Sequence, residues 1–227
     1  MSRRLRAVLF DWDGTLLDSA EATFRSYQKL FGSFGIAFDR ARFAETYSPD
    51  WYRTYAAVAL AREHWTAADS RWLELYAAEE PSLISGAVEA VALVRRAGLA
   101  TGLVTSGSRK RVESDLGKLG AASLFDVLVC SEDAAHKKPH PDPLNRALAR
   151  LGIGPEQAAC VGDSPEDIQM ARAAGVFSVA IAGAFPNREA LKESAADLST
   201  TTLDAAARHL VSMAHSAAAS EPRGSNS

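Results

Sequence analysis

The segment VLFDWDGT at residues 8–15 decides the fold, because it runs from a buried strand directly into two carboxylates. From Arg6 to Phe10 the chain is apolar at nearly every position, as expected of a central parallel strand that is covered on both faces. Asp11 and Asp13 follow at the carboxyl end of this strand, where open α/β sheets bind their ligands. A carboxylate at a buried strand end needs a metal ion, a basic partner or hydrogen bonds. The segment therefore predicts a polar site at the sheet edge.

Three later segments carry polar groups that suit the same edge: LVTSG at 103–107, KKPHP at 137–141 and VGDSPED at 161–167. The first and the last follow apolar runs, whereas the middle one precedes a predicted helix. They supply two hydroxyls, an ammonium and two carboxylates, from Thr105, Ser106, Lys138, Asp163 and Asp167. Together with the first two aspartates, these groups can hold a divalent cation and a phosphoryl group.

From Gly86 onward, apolar runs alternate with amphipathic helical patterns. The predicted strands lie at 99–104, 127–130, 158–161 and 177–181, and the predicted helices lie at 86–98, 109–119, 143–151 and 166–174. Such an alternation specifies a doubly wound parallel sheet with right-handed crossovers. The predicted class is therefore a Rossmann-like α/β fold.

A separate helical domain interrupts this pattern after the first strand. The stretch from Asp18 to about Ala78 contains most of the aromatic residues, at spacings that suit amphipathic helices. We expect a core domain at residues 1–17 and 83–212 and a helical insertion at 18–82. Residues 213–227 are mainly small or polar, which predicts a disordered tail.

The composition narrows the class of partner. A net charge of −3, with no Lys or Arg run longer than residues 109–111, argues against nucleic acid. No apolar stretch approaches the roughly 18 residues that span a bilayer, and the basic first six residues lead into a strand rather than a signal peptide. We expect a cytoplasmic protein in which Cys130 and Cys160 are buried thiols.

The four motifs, in this order, resemble those of the haloacid dehalogenase superfamily, specifically its phosphatases with a helical cap such as phosphoglycolate phosphatase and its sugar-phosphate relatives. The resemblance covers roughly residues 5–200. It implies a Mg²⁺-dependent phosphatase that hydrolyses a small phosphomonoester through an aspartyl-phosphate intermediate. Phosphoglycolate is the leading candidate substrate, with sugar phosphates and pyrophosphate as alternatives, and a monomer or weak homodimer is expected.

The resemblance also assigns roles to residues. Asp11 is expected to attack phosphorus and to ligate Mg²⁺, while Asp13 serves as general acid and base and touches the metal through its carbonyl oxygen. Thr105, assisted by Ser106 and Gly107, is expected to bind the phosphoryl group. Hydroxyls in such positions also suit helix caps, so the segment alone leaves both interpretations open.

The remaining motif residues supply charge. Lys138 is expected to stabilise the phosphoryl group and to shield Asp11, whereas the adjacent Lys137 is expected to be solvated. Asp163 is expected to be a direct metal ligand. Asp167 is also placed in the metal site, where its main expected role is to orient water or Lys138. Both carboxylates also suit the start of the following helix.

Other functions remain open at this stage. The related β-phosphoglucomutases carry a histidine shortly after the first motif, where this chain has Thr23. This difference argues for hydrolysis rather than return of the phosphoryl group to a sugar. A regulatory protein that reuses the fold is a further alternative, although the intact motif residues argue against it. Arg53 is a candidate for binding a substrate carboxylate or second phosphate, but an arginine on a helix is more commonly a solvated charge.

Overall fold

A parallel sheet of six strands forms the centre of the protein, whose computed structural model describes residues 4–219. The strands are β1 (Ala7–Phe10), β2 (Leu17–Asp18), β3 (Ser82–Leu83), β4 (Ala100–Val104), β5 (Val127–Val129), β6 (Ala158–Gly162), β7 (Phe177–Ile181) and β8 (Leu198–Thr200). The large sheet has the order β5-β4-β1-β6-β7-β8, and β2 and β3 form a separate antiparallel pair. The predicted doubly wound α/β class is confirmed.

Ten α-helices surround the sheet or lie in the insertion within residues 4–219. They are α1 (Ala20–Ser33), α2 (Arg40–Thr46), α3 (Trp51–Ala57), α4 (Trp65–Ala77), α5 (Ala87–Arg96), α6 (Arg109–Lys118), α7 (Asp142–Leu151), α8 (Pro165–Ala174), α9 (Arg188–Glu193) and α10 (Leu203–Ala219). Residues of α5, α6 and α10 pack on one face of the sheet, and residues of α7 and α8 pack on the other. The part of the chain that the structure describes has no helix long and apolar enough to cross a bilayer.

Strand β1 is buried on both faces, which explains its continuous apolar sequence. Val8 and Phe10 pack into the core that includes α5 and α10, whereas Leu9 packs into the core that includes α7. The strand pairs in parallel with β4 on one side and with β6 on the other. Since Phe10 is in register with both Leu103 and Val161, the residues that follow these three strands emerge at the same edge.

The insertion has its own aromatic core. Helices α1 to α4 lie between β2 and β3, whose antiparallel pairing brings together the two chain segments that leave and re-enter the core. Tyr27 stacks on Phe31 with ring centroids 5.3 Å apart. Tyr47 of the insertion stacks on Phe185 of the loop after β7 with centroids 4.4 Å apart, so the insertion contacts the sheet domain directly. These helices form the cap over the sheet edge.

The structure differs from the sequence prediction at its smaller elements. The pair β2–β3 and the edge strand β8 were not predicted, because strands of two or three residues leave almost no periodic pattern. Cys130 and Cys160 are free and buried, as predicted.

The predicted disordered tail begins too early. Helix α10 continues through Met213 to Ala219, and Ala214 is buried against the sheet domain. Alanine has the highest helix propensity, so a segment rich in alanine extends the helix even though it has few bulky apolar residues. The rest of the predicted tail, residues 220–227, lies outside the described residues.

Replacing Leu9 tests how much the central strand contributes. Leu9→Ala removes a fully buried side chain from β1 and should lower the free energy of unfolding by about 2–5 kcal/mol, measured by urea titration with circular dichroism. Val88→Ala in α5 is the control, since Val88 is 42% exposed and the expected change is within about 0.5 kcal/mol. Equal effects of the two substitutions would contradict the placement of β1 in the core.

Candidate active site

The predicted site residues meet at the carboxyl edge of the sheet. The amide of Asp11 donates to the carbonyl of Val161, and the amide of Thr105 donates to the carbonyl of Val129, both at 2.9 Å. These bonds continue the strand pairing by one residue beyond β1 and β4. The side chains of Asp11 and Thr105 are thereby held by backbone that belongs to the sheet.

Lys138 lies between two carboxylates in the interior. Its ammonium nitrogen is 2.5 Å from Asp11 Oδ1 and 2.6 Å from Asp167 Oδ1, and all three residues are buried. Burial alone would lower the pKa of Lys138, but the two carboxylates outweigh it and raise that pKa above its ordinary value. A permanent positive charge therefore stands beside Asp11.

Burial also acts on Asp11 itself. It raises the pKa of the Asp11 carboxyl to about 7, against the opposing effect of the Lys138 ammonium and with a smaller contribution from the Asp167 charge. A carboxylate in this environment gains from a further positive charge. The Asp11 side chain is suited to binding a cation.

Asp163 offers an open ligand position. Its Oδ1 accepts a hydrogen bond from the Thr15 hydroxyl at 3.1 Å, while its Oδ2 is buried and has no hydrogen-bond partner among residues 4–219. Burial, followed by the nearby Asp11 charge, raises the pKa of Asp163 well above its ordinary value. An unpaired buried carboxylate oxygen beside a second carboxylate is the arrangement that a hard cation relieves.

The surrounding backbone makes room for that carboxylate. Gly14 has a φ of +84°, and a Cβ added there would lie 2.2 Å from Asp163 Oδ2. One oxygen from each of Asp11, Asp163 and Asp167 lies within 4.8 Å of the others, so the three can face one ion. The residues present therefore fit a divalent cation.

Asp167 is already engaged by neighbouring groups. Its Oδ1 accepts from Lys138, and its Oδ2 accepts from the Ser164 hydroxyl at 2.6 Å and the Ser164 amide at 3.1 Å. The Ser164 hydroxyl in turn accepts from the Asp167 amide at the start of α8, which completes a capping box. Asp167 thus caps its helix and also orients Lys138.

Asp13 is held by a residue that the sequence analysis missed. Its carboxylate accepts a hydrogen bond from the Ser19 hydroxyl at 2.8 Å and forms an ion pair with Arg111. Arg111 is buried, lies 3.2 Å from Asp115 and stacks its guanidinium 5.0 Å from the ring centre of Tyr76 in the insertion. The sequence analysis considered Arg111 only as the end of the basic run at 109–111, although Asp115 four residues later was a signal that it is paired.

The segment after β4 forms part of the wall of the site. Thr105 is buried, and its hydroxyl accepts a hydrogen bond from the Gly107 amide at 3.0 Å. A Cβ on Gly107 would lie 2.2 Å from the Arg111 guanidinium, so glycine permits the approach of that side chain. Hydroxyls and amides in this loop can donate to an anion.

A cavity of about 300 Å³ joins the sheet edge to the insertion. Its walls include every predicted site residue: Asp11, Asp13, Thr105, Ser106, Gly107, Lys138, Asp163 and Asp167. Thr23 also lies in the wall, on α1. The structure therefore brings together all of the predicted site residues.

Two other basic residues, Lys137 and Arg53, do not line the cavity. The Lys137 ammonium is not freely solvated, contrary to the prediction, because it lies 3.5 Å from the ring centre of Trp51 and 3.6 Å from Asp50. Arg53 is outside the cavity wall, with its side chain 65% exposed and 3.9 Å from Asp50. The solvated role considered for Arg53 fits this position.

Comparison with known proteins places the chain in a family. A family model described as haloacid dehalogenase-like hydrolase matches residues 8–181. An N-acetylmuramic acid 6-phosphate phosphatase of Pseudomonas aeruginosa is 33% identical over 186 residues, which are 78% of this chain and 82% of that protein. Pyrophosphatase PpaX of Bacillus velezensis is 29% identical over 188 residues, which are 79% and 84% of the two chains.

A solved structure shows the same fold. A predicted phosphoglycolate phosphatase from Haemophilus somnus 129pt superposes with a TM-score of 0.82 at 19% identity, over 91% of this chain and 98% of the other. At that identity the likeness concerns the fold. Since the family model spans most of the chain, the resemblance found in the four motifs is confirmed, and the protein belongs to the haloacid dehalogenase-like hydrolases.

Proposed function

We propose that this protein is a Mg²⁺-dependent phosphatase that hydrolyses a small phosphomonoester through an aspartyl phosphate on Asp11. One observation carries the proposal: a buried carboxylate, Asp11, has a fixed ammonium on one side and the unpaired Asp163 oxygen nearby, at the wall of a cavity. Relatives named as phosphatases of a sugar phosphate and of pyrophosphate support hydrolysis of a phosphorylated small molecule.

In the first step, the Asp11 carboxylate attacks phosphorus and the ester bond to the leaving oxygen breaks. Asp13, in its protonated form at this step, gives its proton to that oxygen, so that an alcohol departs and the phosphoryl group stays on Asp11. In the second step, Asp13 takes a proton from water, whose oxygen attacks the acyl phosphate. Inorganic phosphate leaves and the Asp11 carboxylate is restored.

The metal site uses oxygen ligands. The carboxylates of Asp11 and Asp163, with the carbonyl oxygen of Asp13, would hold Mg²⁺, which supplies charge neutralisation for the phosphoryl group when bound. Asp167 is assigned to orienting Lys138, because both of its oxygens already accept hydrogen bonds. Lys138 would lower the repulsion between Asp11 and an incoming phosphate dianion.

The rest of the site binds and positions. Thr105 and Ser106 would donate hydrogen bonds to phosphoryl oxygens at the cavity wall, and Gly107, whose amide donates to the Thr105 hydroxyl oxygen, would orient that hydroxyl. Ser19 and Arg111 hold the Asp13 carboxylate at that wall. Residues 18–82 would act as the cap domain of a core formed by the preceding and following segments, in a cytoplasmic protein that is a monomer or weak homodimer. A small phosphorylated metabolite is the proposed partner.

The alternatives are less well supported. Thr23, which stands where the related mutases carry histidine, is buried in the cavity wall and has no imidazole to exchange protons with a sugar intermediate. A purely regulatory protein would not require the buried set of Asp11, Lys138 and Asp163, whose carboxylates are costly to hold together.

Removal of the metal should abolish the reaction. In thoroughly chelated protein, release of phosphate from p-nitrophenyl phosphate should fall to background, and added Mg²⁺ should restore it. Asp163→Asn should raise the Mg²⁺ concentration needed for half-maximal rate by at least about tenfold, since it removes a charged ligand. Asp204→Asn in α10, which pairs with exposed Arg208, is the control. Full turnover without metal would contradict the proposal.

Substitutions of Asp11 and Asp13 should block different steps of the reaction. With p-nitrophenyl phosphate, whose leaving group needs no proton, Asp13→Asn should give a burst of p-nitrophenolate followed by turnover slower by about 10²–10⁴-fold. Asp11→Asn should give no burst and a loss of at least about 10³-fold. Rapid-quench kinetics measures both, with Asp18→Asn at the exposed end of β2 as control. A burst from Asp11→Asn would rule out the covalent step at this residue.

Substitutions of the adjacent Lys137 and Lys138 should have very different effects on stability and activity. Lys138→Met leaves Asp11 and Asp167 buried without their shared cation, which should cost about 3–5 kcal/mol in the free energy of unfolding and abolish phosphate release. Lys137→Met removes a contact with Trp51 and should cost about 1 kcal/mol or less. Urea titration and the aryl phosphate assay compare them, and similar stability of the two variants would count against the buried triad.

A further inference from the structure

Arg111 is surrounded by groups that fix the position of its guanidinium. The side chain is buried, and its Nη1 donates to Asp115 Oδ2 at 3.2 Å, one turn further along α6. The hydroxyl of Tyr76 in α4 lies 3.4 Å from the same nitrogen, and the centre of its ring lies 5.0 Å from the guanidinium carbon. A Cβ on Gly107 would lie 2.2 Å from Nη2, so the loop after β4 also confines this side chain. The guanidinium therefore has little freedom to rotate.

This guanidinium contacts both oxygens of the Asp13 carboxylate. Nη1 donates to Oδ1 at 3.0 Å, and Nη2 donates to Oδ2. Two parallel contacts fix the plane of a carboxylate, whereas a single contact leaves it free to turn about the Cβ–Cγ bond. Since Asp13 lines the cavity, Arg111 sets the direction in which its carboxylate faces the reacting groups.

The two oxygens of Asp13 are not equivalent. Oδ1 accepts from Arg111 and also from the Ser19 hydroxyl at 2.8 Å, so two donors occupy it. Oδ2 accepts from Arg111 alone within residues 4–219. Because a carboxylate oxygen has two lone-pair sites, Oδ2 keeps one site for a proton. The hydrogen bonds thus distinguish the oxygen that anchors Asp13 from the oxygen that can exchange a proton.

Asp115 holds Arg111 from outside the cavity. It is buried and is not part of the cavity wall formed by the described residues. Its contact places the Arg111 guanidinium between two carboxylates, those of Asp13 and Asp115, much as Lys138 lies between two others. A lysine ammonium in such a position supplies a point charge, whereas the planar fork of an arginine also supplies direction. The chain thus uses an arginine where the orientation of the carboxylate matters.

We propose that Arg111 is the positioning residue for proton exchange by Asp13, whose Oδ2 gives a proton to the leaving group and later takes one from water. The inference rests on the proposed phosphatase function. In the first step, the O–H bond at Oδ2 and the bond from phosphorus to the leaving oxygen both break, and the proton moves to that oxygen. In the second step, Oδ2 takes a proton from the attacking water, which restores the acid. Arg111 keeps Oδ2 directed at the reacting atoms throughout.

The test measures how strongly the rate depends on the acidity of the leaving group. p-Nitrophenyl phosphate and phenyl phosphate present nearly the same ring, but phenol is the weaker acid, so its departure depends more on protonation. Arg111→Lys keeps the positive charge but cannot contact both carboxylate oxygens. In the full-length, Mg²⁺-loaded protein, it should raise the ratio of single-turnover rates at saturating substrate, p-nitrophenyl phosphate over phenyl phosphate, by at least about tenfold.

Two further variants control this comparison. Arg109→Lys makes the same change on the same helix, at a residue outside the cavity wall that pairs with exposed Glu113, and should leave the ratio within about twofold of wild type. Arg111→Met removes the charge together with the fork and should raise the ratio at least as much as Arg111→Lys. Both rates are measured on one preparation, so the fraction of folded protein cancels from the ratio.

Combination with Asp13→Asn shows whether Arg111 acts through Asp13. Arg111→Lys should lower steady-state turnover of p-nitrophenyl phosphate by about tenfold or more in the wild-type background, but by no more than about twofold in Asp13→Asn. Equal losses in both backgrounds, an unchanged leaving-group ratio, or a raised KM with an unchanged single-turnover rate would overturn the positioning role. Wild-type protein without activity on either aryl phosphate would instead refute the phosphatase function.

Discussion

The site depends on the buried ammonium of Lys138, held between Asp11 and Asp167. Three charges in the interior are stable only when each is paired, so this contact fixes how the end of β1, the start of α8 and the loop before α7 approach one another. It also acts on the electrostatics of Asp11, because the Lys138 ammonium opposes the burial that raises the pKa of that carboxyl. The proposed nucleophile, its counter-charge and the proposed metal ligands are therefore held together by contacts within the protein itself.

Charge is distributed unequally across the cavity. The sheet edge contains Asp11, Asp163 and Lys138, whereas the insertion contributes aromatic rings and Asp69. Phosphoryl chemistry needs fixed charge close to phosphorus, and the sheet backbone holds it there. Under the proposed function, selection of the leaving group would need shape and oriented hydrogen bonds, which the ring-lined insertion would supply. The two tasks would then be carried by separate parts of the chain that share one cavity.

Two basic side chains of the sheet domain contact the insertion. Arg111 contacts Asp13 and lies over the ring of Tyr76, while Lys137 lies over the ring of Trp51. Both contacts run from loops or helices of the sheet domain to rings of the insertion. Through Arg111, the position of the insertion is connected to Asp13, the proposed general acid and base.

By itself the sequence determined the sheet and the motif residues. Buried parallel strands require continuous apolar runs such as residues 7–10, and the register of parallel strands brings their carboxyl ends together, so Asp11, Thr105 and Asp163 were predictable as neighbours. Arg111, Lys137 and Asp69 were decided by the tertiary structure. Each of them contacts a partner that is distant in sequence, as Arg111 contacts Asp13, Lys137 contacts Trp51 and Asp69 contacts Tyr52. A charged residue is expected to be solvated until the surface that opposes it is known. The extent of α10 was decided in the same way, because Ala214 carries no apolar pattern until it packs against the sheet domain.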